Sequence, residues 1–379
     1  MKRVLALVLA LGLILAGCAA EKPAAPATDP TTAPTTAPTT APTDPTTAPT
    51  DPTTAPTEPE ETEPTDPPAP LYSNPLTGEA LDAPITDRPF AVVLNDHVKA
   101  LPHWSVSQCQ MLWELPHEYS TTRMVAMYTD LSNVNRLGSM RSARPYQISL
   151  AMSFNALFVH AGYSSHAKNM LKDTGWETIN GVEGKYGYKY FHRDQDRLNA
   201  GVALEHTMYT TGPEVLSYCK DMGYTVEAGT TVNYGYQFTP DGTPADGTDA
   251  NTINILFRNR GKKTNLTYNE TTGGYTMDQF NKPYVDANDG STVTFENVLI
   301  LKTWVGLQPD STYRLDVGMT GSGSGYFACG GKMIPITWSR SDSASPFVYT
   351  LEDGTPLTLG VGTTYVAVIY NDGGTVTAS

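Results

Sequence analysis

The sequence predicts an α/β N-terminal domain with a mixed or parallel sheet, followed by a mostly antiparallel β C-terminal domain. Three observations carry this reading. First, residues 123–166 alternate strand-length apolar runs with segments at helical spacing. Residues 124–128 read as a strand, 145–154 as a helix and 156–159 as a strand, and a second helix capped by Ser164 or Ser165 runs through Leu171. Strand, helix, strand, helix is the signature of parallel α/β packing. Second, from about Thr230 short strands dominate, separated by Asp241-Gly242, Gly273-Gly274, Asp289-Gly290, Gly330-Gly331 and Asp353-Gly354. Third, all seven histidines lie between His97 and His206, so any imidazole chemistry belongs to the first domain.

The chain begins Met-Lys-Arg, continues with an apolar run over residues 4–15, and reaches Ala16-Gly17-Cys18. A basic start, an apolar core and a small-residue cleavage site mark residues 1–17 as a secretory signal. The run is too short to span a membrane. Leu15-Ala-Gly-Cys18 is similar to a bacterial lipobox, which implies cleavage before Cys18 and a diacylglyceryl group on its sulfur. Residues 18–70 then form a tether of Pro, Thr, Ala and acids, with repeated TTAP and TDP units and no large apolar side chain. Such a segment cannot bury enough surface to offset the entropy of folding. Its prolines favour extended polyproline II conformations, an upper reach of ~150 Å at ~3.1 Å per residue.

The net charge of −14 is unevenly spread. The signal holds Lys2 and Arg3, and the tether nine acids against one lysine, which leaves −8 for the body from Leu71 on. A mildly acidic body argues against nucleic acid as a partner and against charge-driven binding to anionic membranes. The expected membrane partner is reached through lipid on Cys18. Cys109, Cys219 and Cys329 remain, an odd number whose pairing the spacing does not give. Cys109 and Cys219 sit in apolar surroundings of helical appearance and read as buried inert thiols.

Within residues 71–228, residues 90–94 read as a strand ending in Asn95-Asp96-His97, and residues 107–115 as a short helix with Met111, Leu112 and Leu115 on one face. Residues 188–191 read as a strand. Thr211 and Pro213 stand where an N-cap and early helical residue belong, and Gly223 where that helix stops. Within residues 229–379, strands are expected at 254–257, 298–305 and 365–370. The run GMTGSGSG (318–325) lacks a Gly-Lys-Ser/Thr ending, so it reads as a flexible turn rather than a phosphate loop. Trp304 and Trp338 read as core rather than as a glycan platform, as isolated aromatics in strands do.

In a parallel α/β sheet, ligands bind at the carboxyl ends of the strands. There the sequence offers Arg123, Arg141, Arg144, His160, Tyr163, Ser164 and His206. Pro145 disfavours helical geometry at Arg144, so the helix starts at Pro145 and both Arg141 and Arg144 flank its N-terminus, where anions are attracted. Guanidinium adds bidentate recognition of carboxylate or phosphate. The alternative is that these arginines bind Asp96, Glu114 or Asp194 of the same domain. His160 beside Tyr163 and Ser164 could pair a hydroxyl with a base, although the segment is not a Gly-x-Ser-x-Gly elbow, and Ser164 reads more simply as an N-cap. No His or Cys spacing marks a metal site, and no cofactor is expected.

As a set, Asn74-Pro-Leu-Thr-Gly78, Thr122-Arg123, Arg141-Ser-Ala-Arg-Pro145, Val159-His-Ala-Gly162, Arg193-Asp194 and Glu205-His-Thr-Met-Tyr-Thr210 resemble the YerB-like lipoprotein family, the N- and C-terminal domains of unknown function 3048. In the second half, Gly325-Tyr-Phe, Gly331-Lys332, Ile334-Pro-Ile-Thr-Trp-Ser339 and Gly362-Thr-Thr-Tyr365 match the same family. The resemblance implies a two-domain architecture and an envelope address rather than an activity. The expectation is a lipid-anchored protein on the extracytoplasmic face of the cell membrane that binds an anionic envelope or small-molecule ligand in its α/β domain. The alternatives are an envelope-polymer hydrolase or transferase using His160, His206 and a hydroxyl, and a partner-binding scaffold.

Overall fold

The computed structural model describes residues 71–379, which pack as one compact unit. The signal, Cys18 and the tether lie outside the described residues. In chain order the principal strands are β1 (Phe90–Leu94), β2 (Met111–His117), β3 (Thr121–Tyr128), β4 (Leu157–His160), β5 (Thr178–Asn180), β6 (Thr248–Asp249), β7 (Thr252–Leu256), β8 (Lys263–Asn269), β9 (Gly274–Gln279), β10 (Asn297–Thr303), β11 (Gly321–Cys329), β12 (Lys332–Arg340), β13 (Val348–Thr350), β14 (Thr364–Tyr370) and β15 (Thr375–Ala378). The longer helices are α1 (Pro145–Ser153), α2 (Ser165–Thr174) and α3 (Gly212–Met222). The described residues are mostly β, and these three helices all precede Gly223.

The central sheet runs β6-β12-β11-β10-β14-β2-β3-β1-β4-β5, with β13 added beside β12. It is mixed: β1, β4 and β5 pair in parallel, as do β10, β14 and β2, while β2-β3 and β3-β1 are antiparallel. The sheet therefore takes strands from both sides of residue 228. A second, antiparallel sheet is built from β7, β8, β9 and β15 with two short additions. Its Ile253, Ile255, Leu266, Tyr275 and Met277 pack on one face of the central sheet.

Period-2 alternation sorts the core. Phe90, Val92, Leu94, Met124, Ala126, Val298, Ile300, Tyr365 and Ala367 point to the face covered by the second sheet and α3. Ala91, Val93, Val125, Met127, Leu299, Leu301, Val366 and Val368 point the other way, toward Tyr146, Ile148 and Leu150 of α1 and Ala167 and Leu171 of α2. The strands in the middle are buried on both faces and read as continuous apolar runs, as central strands of covered sheets do.

Helix limits follow local rules. Pro145 occupies the first turn of α1, Ser164 Oγ accepts from the Ala167 N–H at the start of α2, and Thr211 with Glu214 forms a capping box on α3. Gly175 and Gly223 end α2 and α3 in the left-handed conformation. The β11-β12 hairpin turns on Gly330 and Gly331, with φ of 57° and 75°, the pair of positive values that a type I′ turn requires.

Three segments differ from expectation. Residues 107–115 are not a helix: a single 3-10 turn (Val106–Gln108) precedes β2, in which Met111, Trp113 and Leu115 face one side and Leu112 and Glu114 the other. A short apolar run buried on both faces does not declare its period. Residues 188–191 lie mostly in a helical turn (Gly187–Tyr190), held by Lys189 and Tyr190 to Asp221 and by Tyr190 and Phe191 packing on Tyr218. The glycine-rich run at 318–325 leads into β11 and is not a loose turn. A Cβ on Gly323 would fall 2.6 Å from Trp338 Nε1, and that nitrogen crosses the glycine to donate to Lys302 O at 3.0 Å. Trp338 is core, whereas Trp304 is 54% exposed.

Cys109, Cys219 and Cys329 are all free and buried. Burial pushes the Cys109 and Cys219 thiols up to about 12, and Cys329 to about 11, so none is a reactive thiolate at neutral pH.

Candidate functional site

Where β1 and β2 end and β3 begins, the sheet opens into a cavity of about 360 Å³. Asn95, Asp96 and His97 follow β1. His117, Glu118 and Tyr119 lie at the β2-β3 connection, Thr122 and Arg123 on β3, Arg141, Ser142 and Arg144 on the loop into α1, and Arg314 in the C-terminal half. Four arginines thus line one cavity with two carboxylates, Asp96 and Glu118. The Asp96 carboxylate is also engaged by Lys262 at 2.9 Å.

The four arginines are held differently. Arg144 grips Glu118 in a fork, Nε to Oε1 at 2.8 Å and Nη2 to Oε2 at 2.9 Å, with both side chains buried. Arg314 reaches the same carboxylate at 3.5 Å from a half-exposed position. Arg141 touches Glu205 at 3.3 Å across a solvent-exposed contact. Arg123 is 4% exposed, and no carboxylate among the described residues lies within ion-pair distance of it. Its Nη1 donates to Ser142 O, and its Nη2 lies 2.7 Å from His117 Nε2. Burial first, then the neighbouring Arg144 charge, holds the Arg123 pKa well below the ordinary arginine value. The charged guanidinium is therefore kept in the cavity wall at a cost that an anion beside it would offset.

A second buried arginine gives the contrast. Arg340 donates to Ser345 O, Ser149 Oγ, Met319 O, Ser149 O and Ser343 O, so every N–H of its guanidinium is satisfied by neutral acceptors. Arg340 fastens β12 to α1. Arg123 has no such shell.

His117 Nε2 is contested. It lies 2.7 Å from Glu118 Oε2 and 2.7 Å from Arg123 Nη2, and one ring nitrogen can donate to the first or accept from the second, not both. Burial and then the Arg123 charge lower the His117 pKa to about 3, so the ring is neutral. Glu118 is held below the usual carboxylate range. Burial opposes this but is outweighed by hydrogen bonds from His117 and Arg144.

Of the residues expected at the site, Arg123, Arg141 and Arg144 come together in this cavity. His206 stands one layer behind: its Nδ1 is 2.8 Å from Asn95 Nδ2, and its ring stacks on His97 at 4.4 Å between centroids. Burial, then the His97 and Arg141 charges, lower its pKa to about 4. His160, Tyr163 and Ser164 lie elsewhere. His160 is fully buried, its Nδ1 2.7 Å from Gly162 O and its Nε2 against Thr178 Oγ1. Tyr163 bonds Glu183, and Ser164 caps α2. The sequence reading did not single out His117, Glu118 and Arg314. His117 and Glu118 adjoin the segment read as a helix, and Arg314, distant in sequence, is brought in by tertiary packing. Among the described residues no cluster of His, Cys, Asp and Glu could hold a metal ion, and no helix is long and apolar enough to cross a membrane.

Comparison with known proteins agrees with this architecture. Residues 76–225 match the profile "Protein of unknown function (DUF3048) N-terminal domain", and residues 253–366 match its C-terminal domain. The chain is 25% identical over 296 residues to a protein named "Putative lipoprotein YerB" from Bacillus subtilis (strain 168), covering 78% of this chain and 85% of that protein. The crystal structure of YerB from Bacillus subtilis superposes with a TM-score of 0.69 at 24% identity, covering 80% of this chain and 99% of that one, which shows a shared fold. With both matched segments in their order and the fold in common, the chain belongs to the DUF3048 family of YerB-like proteins.

Proposed function

We propose that this is a lipid-anchored protein of the extracytoplasmic face whose cavity at the end of the central sheet binds an anionic ligand. Phosphate or carboxylate groups of envelope components are the chemical class that fits. The observation that carries the reading is Arg123, a buried guanidinium without a carboxylate partner among the described residues, facing a cavity with three more arginines. Buried charges need compensation, and guanidinium is matched best by planar or tetrahedral oxyanions. Arg141 and Arg314, both partly exposed, line the same cavity and can turn toward a ligand. The anchor rests on the lipobox at Cys18 and on the name carried by the Bacillus relative.

The hydrolase or transferase alternative receives no support from His160 and Ser164. Both ring nitrogens of His160 are engaged by Gly162 and Thr178, and Ser164 Oγ is engaged by its helix. Calorimetric titration of the protein and of Arg123→Gln with inorganic phosphate, glycerol phosphate and a carboxylate-bearing sugar tests the binding reading.

A further inference from the structure

Between the two sheets lies a buried cluster with chemistry of its own. Lys262 precedes β8, and its Nζ lies 2.9 Å from Asp96 Oδ2 and 2.8 Å from Glu114 Oε1. Asp96 and Glu114 side chains are fully buried, and Lys262 is 5% exposed. Glu114 Oε2 accepts from Tyr365 OH at 2.7 Å, Thr264 Oγ1 at 2.9 Å and Gln279 Nε2 at 3.1 Å. Asp96 is held less: its Oδ1 has no partner among the described residues.

A proton count follows from Thr122. Its hydroxyl is in hydrogen-bond contact with Asp96 Oδ2 and lies 2.7 Å from Glu114 Oε1. A hydroxyl carries one proton and can donate to one of the two carboxyls. Thr122 bridges the two carboxyls and can pass one proton between them. An ammonium, one carboxylate and one carboxylic acid carry the same number of protons as an uncharged amine and two carboxylic acids. Burial opposes the Lys262 charge, but Asp96 and Glu114 outweigh it and hold its pKa above the usual lysine value, so attack begins with transfer of a proton from Lys262 to the carboxyl pair.

The geometry points to an intramolecular isopeptide bond between Lys262 and Asp96, with Glu114 as the proton shuttle. The neutral Lys262 amine attacks Asp96 Cγ, forming the N–C bond. Glu114 takes a proton from the attacking nitrogen and returns one through Thr122 to the departing Asp96 hydroxyl. The C–O bond breaks and one water leaves, next to the cavity that Asp96 lines. No oxidant, cofactor or co-reactant is required. Asp96 is the acceptor rather than Glu114 because Glu114 is pinned by three donors on one oxygen, which suits an acid–base group. The product joins positions 166 residues apart, closing a long loop between the two sheets and restricting the unfolded chain.

The test is peptide mapping. The full-length protein is purified from membranes, denatured and digested, and its peptides are sequenced by mass spectrometry. The expected result is a branched peptide joining the segments that contain Asp96 and Lys262, one water lighter than their sum, and lost in Lys262→Arg. Recovery of both segments only as separate peptides overturns the assignment, and so does a branch through Glu114. The measurement is independent of ligand binding at Arg123.

Discussion

Arg144 and Glu118 form a two-point fork, 2.8 Å and 2.9 Å, with both side chains buried at the wall of the cavity. The Glu118 carboxylate also takes contacts from His117 and Arg314. This pair orders the wall, leaving its neighbour Arg123 as the cation with no carboxylate partner among the described residues.

Removing one member of such a pair leaves the other buried and unpaired. Arg144→Ala is expected to destabilise the protein by about 3–5 kcal/mol, read by denaturant or thermal unfolding. A loss below about 1 kcal/mol would show the fork to be dispensable.

Arg141 makes an exposed ion pair with Glu205, and exposed pairs contribute little. Arg141→Ala should change stability by less than about 1 kcal/mol while weakening anion binding. A large stability loss with unchanged binding would assign Arg141 to the scaffold.

Acid should unfold the protein partly through its buried histidines. Burial lowers both His103 and His160 from the ordinary value of 6.5 to about 4. Each is neutral when folded and binds a proton more readily when unfolded, so its contribution is fully present above about 6.5 and declines as pH falls toward about 4. The loss is roughly 3 kcal/mol for each. Unfolding free energy measured from pH 7 to 4 should fall across that window, and His160→Gln should flatten the slope. A flat profile would show these rings to be charged or exposed.

Cys18→Ala should release the protein from the membrane into the medium, because the tether offers no other anchor. Retention of the variant on salt-washed membranes would rule out lipid on Cys18 as the attachment.

Much of the fold was legible. Pro145, Ser164, Thr211 and Gly223 are local signals whose meaning does not depend on distant packing, and helices start and stop at them, although α2 runs on to Thr174 rather than ending at Leu171. Strand β2 was not legible, because burial on both faces erases the alternation that marks a strand. The site was half legible. Arg141 and Arg144 announced themselves beside a helix start, but the pairing of Arg144 with Glu118 arises from the β2-β3 turn. That Arg123 has no carboxylate partner among the described residues depends on which acids the tertiary structure brings near. His160 and Ser164 looked chemical in sequence, yet each is engaged by its own neighbourhood.

An anion seated beside Arg123 would offset its buried charge. The direct measurement is calorimetric titration of the native protein and Arg123→Gln with inorganic phosphate, glycerol phosphate and a carboxylate-bearing sugar, alongside melting temperature. The account predicts saturable binding of at least one of these anions by the native protein. It predicts at least a tenfold loss of that binding in the variant, which is about 1.4 kcal/mol, and a melting temperature unchanged or raised, since a buried lone charge is gone. Equal binding by both proteins, no binding by the native protein, or collapse of the variant's fold would contradict it.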